Sequence, residues 1–334
     1  MKKTGFVLLG TCVLATTMAA QSGSAPCLLV LSKGDHTLAI VDPTTLKAVA
    51  RMPSGPDPHE VIASSDGKLA FISNYGGGTY NTITPVDLMA HQSLKPIDLG
   101  PLRGPHGLAF TGSKLWFTAE VAKAIGSYDP STKQVDWILG TGQNRTHMVM
   151  VNPDLSRIVT TNVASATISI IDRVSVPGPN NSKRVDWNET VVPVGRGAEG
   201  FDISPDAREI WVANAQDGTI SVVDSEKKAV VATIAANVNG ANRLKFTPDG
   251  KLVLVSLIKS PDVVVLNARD RTEAKRIPVG HGAEGMLMDP NGARAFVSAT
   301  PDDYVAVIDL KNLTVTGRID AGKQPDGLAW VRAQ

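Results

Sequence analysis

Apolar residues along this chain fall into short runs cut by turn residues at regular intervals. One unit reads Ala198-Glu-Gly-Phe-Asp-Ile203, Glu209-Ile-Trp-Val-Ala-Asn214, Gly218-Thr-Ile-Ser-Val-Val-Asp224 and Ala229-Val-Val-Ala-Thr-Ile234. Runs rich in Val, Ile and Thr, bounded by Asp66-Gly67, Pro248-Asp249-Gly250 or Asn291-Gly292, predict antiparallel strands joined by hairpins. No stretch sustains a 3.6-residue apolar period with caps, so helices are expected to be minor.

The unit recurs. Copies begin at Pro58, Pro105, Thr146, Ala198, Ala241, Ala283 and Pro325, spaced by 47, 41, 52, 43, 42 and 42 residues. Four strands in roughly 40 residues is the signature of a β-propeller blade. The unit at Pro325 stops after its first strand, and its missing strands stand at the other end: Leu28–Leu31, Thr37–Asp42 and Lys47–Arg51. The third strand of each unit also ends in a turn residue: Asp42, Asp87, Asp129, Asp172, Asp224, Asn267 or Asp309. The expected fold is therefore all-β: a seven-bladed β-propeller of four-stranded antiparallel blades, its ring closed by strands from both termini. Closure removes the exposed sheet edges that an open array would leave.

Ahead of the propeller, Met1-Lys2-Lys3 precedes an apolar stretch from about Gly5 to Met18 and the small residues Ala19 and Ala20. That order describes a secretory signal peptide over residues 1–20, and the run is too short for a membrane span. Residues 21–27 then form a short linker and 28–334 one propeller domain. The expected location is the periplasm or the medium.

Composition narrows the function classes. Removing Lys2 and Lys3 leaves 31 basic against 32 acidic residues, a charge of −1. With only 5% aromatic residues, that balance gives nucleic acid little to bind. Removing Cys12 with the leader leaves Cys27 alone, so no internal disulfide is available. Gly195-Arg-Gly-Ala-Glu-Gly200 and Gly280-His-Gly-Ala-Glu-Gly285 match a dinucleotide fingerprint in letters only, because a strand follows each where a helix is needed. No Gly-x-Ser-x-Gly, His-Glu-x-x-His or Cys-x-x-Cys-His occurs, so no nucleotide and no covalently attached haem is expected. Val174 to Thr190 reads as a solvated hairpin extension.

Candidate chemistry lies in the loops that lead into each innermost strand. The residue after each blade start is polar: His59, His106, His147, Glu199, Asn242, Glu284 and Asp326. Antiparallel alternation puts the loop between strands two and three on the same face, adding Asn74, Glu120, Asn162 and Asn214. One mouth of the channel is thus expected to carry imidazoles on one arc and carboxylates on the other. Such a donor set suits a divalent transition metal, with His59, His106, His147, Glu199 and Glu284 as the candidate ligands. The alternative is a polar, water-filled mouth whose groups satisfy one another. Arg103, Arg145, Arg196 and Arg243 flank these loops and are candidates for an anion or for rim ion pairs. His36 and His91 read as surface residues.

Phe71-Ile-Ser-Asn74, Val159-Thr-Thr-Asn162 and Trp211-Val-Ala-Asn214, each followed by an Ile-Ser-Val-Val-Asp-type strand, resemble the YVTN repeats of YncE-like periplasmic and surface proteins. The resemblance covers nearly the whole chain after the leader, and it implies the propeller far more strongly than any activity. The second blade, with Gly104-Pro-His-Gly-Leu-Ala109, Leu115-Trp-Phe-Thr-Ala-Glu120 and Ile125-Gly-Ser-Tyr-Asp-Pro130, also resembles streptogramin lyase blades.

These likenesses imply a monomeric binding or scaffold protein of the cell envelope, its partner an envelope protein or a small ligand. One alternative is a metal-assisted lactonase or lyase, with His106 as the proton-transfer residue. The other is an accessory propeller for periplasmic redox enzymes.

Overall fold

The computed structural model describes Met1 and residues 26–332. The expected signal peptide falls almost entirely outside the described residues. Seven sheets surround one axis, six of them four-stranded. Blade 1 starts at Pro58–Ala63 and has a fifth short strand, because its outer edge is split into Gln92–Ser93 and Ile97–Asp98. Blade 7 is composite. Its innermost strand, Pro325–Val331, pairs antiparallel with Cys27–Ser32, which is followed by Thr37–Asp42 and Lys47–Pro53. The propeller therefore begins at Cys27. Among the described residues the only helices are three single 3₁₀ turns, and no helix is long and apolar enough to cross a membrane.

The burial of each strand follows from its place in the blade. Second strands such as Leu69–Asn74 and Glu209–Asn214 are covered on both faces and carry continuous apolar runs. Outer strands such as Gln134–Gly140 alternate half-buried and exposed positions, as a half-solvated edge requires. The core is divided among the seven blade interfaces, one apolar cluster to each. Trp211, Leu244 and Val255 join blades 4 and 5, and Leu31, Leu38 and Ile72 join blades 7 and 1.

The turn residues that close the third strands act through their side chains. Asp42 Oδ1 accepts from the Thr44 N–H, Asp129 Oδ1 from Ser131, and Asp224 Oδ1 from Glu226. Asp172 differs because its strand continues into the long hairpin, and it pairs instead with Arg157 and Lys228. That hairpin, Thr167–Pro177 with Lys183–Pro193, is anchored by Trp187. Its ring packs 5.4 Å from Trp137 and 6.4 Å from Trp116 of blade 2.

Two devices fix the inner ring. Gly107, Gly200, Gly285 and Gly327 follow the polar ring residue of their blades, and a Cβ at each would overlap a backbone carbonyl of the next blade. Strand-two hydroxyls pin ring carbonyls as well, two of them the same: Thr118 donates to His147 O, Thr161 to Glu199 O, Ser256 to Glu284 O and Ser298 to Asp326 O. Gly285→Ala is expected to destabilise the protein by about 3 kcal/mol, since backbone cannot move aside as a side chain can. Urea unfolding checks this; a midpoint within error of the wild type would show that the ring can dilate.

Candidate functional site

The strand register places His59, His106, His147, Glu199, Asn242, Glu284 and Asp326 at one equivalent position. Each directly follows the residue that pairs with the end of strand two: Pro58 with Asn74, Pro105 with Ala119, Thr146 with Asn162, Ala198 with Asn214. The same register shows Ala119, not Glu120, at the position equivalent to the three asparagines. Glu120 stands one residue further on, level with Lys33 of blade 7 and Tyr75 of blade 1.

Asn74, Asn162 and Asn214 stand apart from the mouth cluster. All three are fully buried, and each donates to two hydroxyls of its own third strand: Thr82 and Thr84, Thr167 and Ser169, Thr219 and Ser221. They tie strands two and three together.

At the centre of the mouth His147 is held between two carboxylates. Its Nδ1 donates to Glu120 Oε1, and its Nε2 lies 2.8 Å from Glu199 Oε1. The second contact is too far out of line for a hydrogen bond and is carried by charge. Burial opposes the charged imidazole, but the Glu199 charge and the Glu120 bond overcome it and raise the pKa to about 9. Burial likewise opposes ionised Glu199, and the His147 charge wins, bringing it to about 2. The result is a buried carboxylate–imidazolium–carboxylate triad, with Tyr75 Oη donating to Glu120 Oε2 and Arg145 Nε 3.4 Å from the same oxygen.

His106 stacks on His147, ring centroids 3.8 Å apart, and meets Tyr75 edge-on. Burial and the neighbouring His147 charge drive its pKa well below the ordinary value, so it is neutral. Its Nδ1 is buried without a partner. His59 sits between Asp57 (3.4 Å) and Asp326 (3.6 Å).

The other arc is also paired. Lys33 Nζ bridges Glu284 (2.7 Å) and Asp326 (3.1 Å), two carboxylates that share one pocket. Burial and the Asp326 charge raise the Glu284 pKa. Across the channel Arg243 of blade 5 pairs with Glu60 of blade 1 and donates to Asn242 Oδ1 at 2.9 Å. Both occupy the position that is glycine in four other blades, which is why their side chains enter the channel. Of the remaining arginines, Arg196 forms a rim pair with Asp217 and Arg103 is exposed. His36 and His91 are exposed.

Sequence reasoning missed Lys33, Tyr75, Asp57 and Glu60. A signal existed for Lys33 and Tyr75, since both follow the last residue of a YVTN-type second strand. Glu60 was detectable as the residue that replaces glycine after the ring position.

The model of the cytochrome D1 heme domain matches residues 86–300. The chain belongs to that family. The chain is 19% identical over 237 residues to antigen Lp49 of Leptospira interrogans, covering 65% of this chain. It spans about half the length of that curated relative. Among solved structures it is similar to a protein of unknown function from Desulfotomaculum acetoxidans (14% identity, TM-score 0.73, covering 93% of this chain and 100% of the other). It is also similar to the dihydro-heme d1 dehydrogenase NirN in complex with DHE (16% identity, TM-score 0.62, covering 89% and 64%). At these identities the structures speak for the fold alone, and they place the YVTN resemblance at the level of the propeller.

The family name implies a d1 haem, and the donors at the mouth do not fit one. An axial imidazole must offer a free, accessible nitrogen. His147 has both nitrogens against carboxylates, His106 is 4% exposed with Nδ1 buried and its ring stacked on His147, and His59 is flanked by Asp57 and Asp326. The Arg243–Glu60 and Lys33–Glu284 pairs stand in the same mouth and offer no further imidazole. Among the described residues no three His, Cys, Asp or Glu side chains are arranged to hold a metal ion.

Proposed function

We propose that this chain is a binding propeller of the cell envelope, periplasmic or secreted and monomeric, that recognises an envelope protein or a small polar ligand with its ringed mouth. The observation that carries the reading is the saturation of the mouth. His147, the group best placed for metal or proton chemistry, is spent on Glu120 and Glu199, and Lys33 and Arg243 are likewise paired with carboxylates. Preorganised charges of both signs on a rigid ring suit electrostatic complementarity, which sets specificity and encounter rate. The family membership, and the likeness to a dehydrogenase whose name carries heme d1, support a partner from periplasmic redox chemistry.

The test is retention of envelope proteins by the immobilised full-length protein, compared with a Glu199→Arg/Glu284→Arg variant. A partner held by the wild type and lost by the variant is expected, and equal retention would move recognition off the mouth. In parallel, elemental analysis of the untagged protein is expected to find no stoichiometric transition metal. One equivalent of metal, lost in a folded His59/His106/His147→Ala variant, would overturn the reading and bring lactonase and lyase assays forward.

A further inference from the structure

The channel has a second end, and its chemistry is unlike the first. A cavity of about 690 Å³ is lined by the C-terminal ends of the innermost strands of blades 1, 2, 6 and 7, by their following turns and by Pro153 of blade 3. Its walls include Ile62, Phe110, Leu287, Met288 and Trp330. Among the described residues Arg332 is the one charged residue of its lining, which includes no carboxylate.

The strand register explains why this end is open. Ala63, Phe110, Phe246, Met288 and Trp330 occupy one equivalent position, each two or three residues past the bulge. In blade 5 Phe246 turns into the blade interface against Trp211, 5.5 Å between centroids, and is buried. Phe110 and Trp330 take the same interface position, on the strand-two residues equivalent to Trp211, but are covered less completely. Each has one face stacked, on Phe71 at 5.8 Å and on Phe296 at 6.2 Å, and each is only half-buried at the cavity wall. Between them, in blade 1, the same position holds Ala63. A small residue flanked by two aromatics leaves a slot.

We propose that this slot binds an amphipathic monoanion, a carboxylate with an aliphatic or aromatic body. The body lies over Ala63 between Phe110 and Trp330, and the carboxylate pairs with Arg332. A concave site with aromatic and aliphatic walls and a few polar groups, one of them charged, is the ordinary form of a small-molecule pocket. An arginine fork matches a carboxylate in two bonds. The Arg243–Glu60 pair crosses the channel between the two ends, so this site stands independently of the mouth.

Titration calorimetry of the full-length protein with decanoate tests it, with decanol as the uncharged counterpart. Decanoate is expected to bind with a stoichiometry of one, and Arg332→Gln to weaken it about tenfold, the loss of one charge-assisted bond. Decanol is expected to bind the wild type about as weakly as decanoate binds that variant. Ala63→Phe fills the slot and is expected to abolish binding of both. Ser65→Trp, an exposed change at the rim, blocks access without touching the core and guards against a misfolded Ala63 variant. Absence of decanoate binding at millimolar concentration, or binding that survives both blocking variants, would overturn the site. Binding blocked by both variants but indifferent to Arg332→Gln would overturn the anion assignment.

Discussion

Glu120→Ala is expected to cost the folded protein about 3–5 kcal/mol, the penalty for leaving a buried charge without its partner. Three groups lose their acceptor at once: His147 Nδ1, Tyr75 Oη and Arg145 Nε. With one of its two carboxylates gone, the His147 pKa should fall from about 9 toward or below its ordinary 6.5. Urea unfolding measures the first effect and imidazole proton shifts across a pH series the second. An unchanged midpoint with an unchanged His147 titration would show that Glu199 alone sustains the imidazolium.

The same triad sets the pH dependence of the wild type. A histidine whose folded pKa is about 9 against 6.5 unfolded contributes stability that is complete below pH 6.5 and is lost as pH rises through 9. Glu199, at about 2 against 4.5, contributes stability that is complete above pH 4.5 and is lost as pH falls through 2. Both describe one ion pair and are counted once. The expected profile is a plateau between pH 4.5 and 6.5, with a decline of about 3 kcal/mol on the alkaline side. In Glu120→Ala the alkaline decline should shrink; a decline of equal size in both proteins would assign it to other groups.

Arg243→Ala is the second large effect, again about 3–5 kcal/mol. Arg243 is 6% exposed and its partner Glu60 is nearly as enclosed, so truncation strands a carboxylate in the channel. The expected sign of rescue separates charge from packing. A Glu60→Gln change in the Arg243→Ala background should recover stability, because the unpaired charge goes with it, whereas Glu60→Gln alone should destabilise. If the double variant is no better than Arg243→Ala, the arginine acts mainly through its contacts along the channel wall.

The repeat made the propeller, its blade count and its closure legible, because each is written in one register copied seven times. The same register located the ring at His59, His106, His147, Glu199, Asn242, Glu284 and Asp326. It brought Glu120 to the mouth but misjudged its register against Asn74, Asn162 and Asn214. Blade 2 ends its second strand in Thr-Ala-Glu where blade 1 has Ser-Asn-Tyr, and only strand pairing shows that Ala119 answers Asn74. The pairings across the ring were equally out of reach. Lys33 and Glu284 lie 251 residues apart, Glu60 and Arg243 183, and no local pattern links positions that meet only when the ring closes. The state of each histidine was hidden for the same reason. His106 and His147 are equivalent in sequence, yet one is neutral and the other charged because the carboxylates reach only one of them.

The seam in blade 7 gives the molecule a mechanical character. Cys27 is registered with Val331, so both tails of the ring leave from the same end of one antiparallel strand pair. Force applied between the two ends acts along the hydrogen bonds of that pair, which run perpendicular to the strands, and opens them one after another. A propeller tethered at both tails therefore yields at this seam under low load, like a zip. The same ring pulled through a loop of blade 3 and a loop of blade 6 must shear whole interfaces at once and should hold far longer.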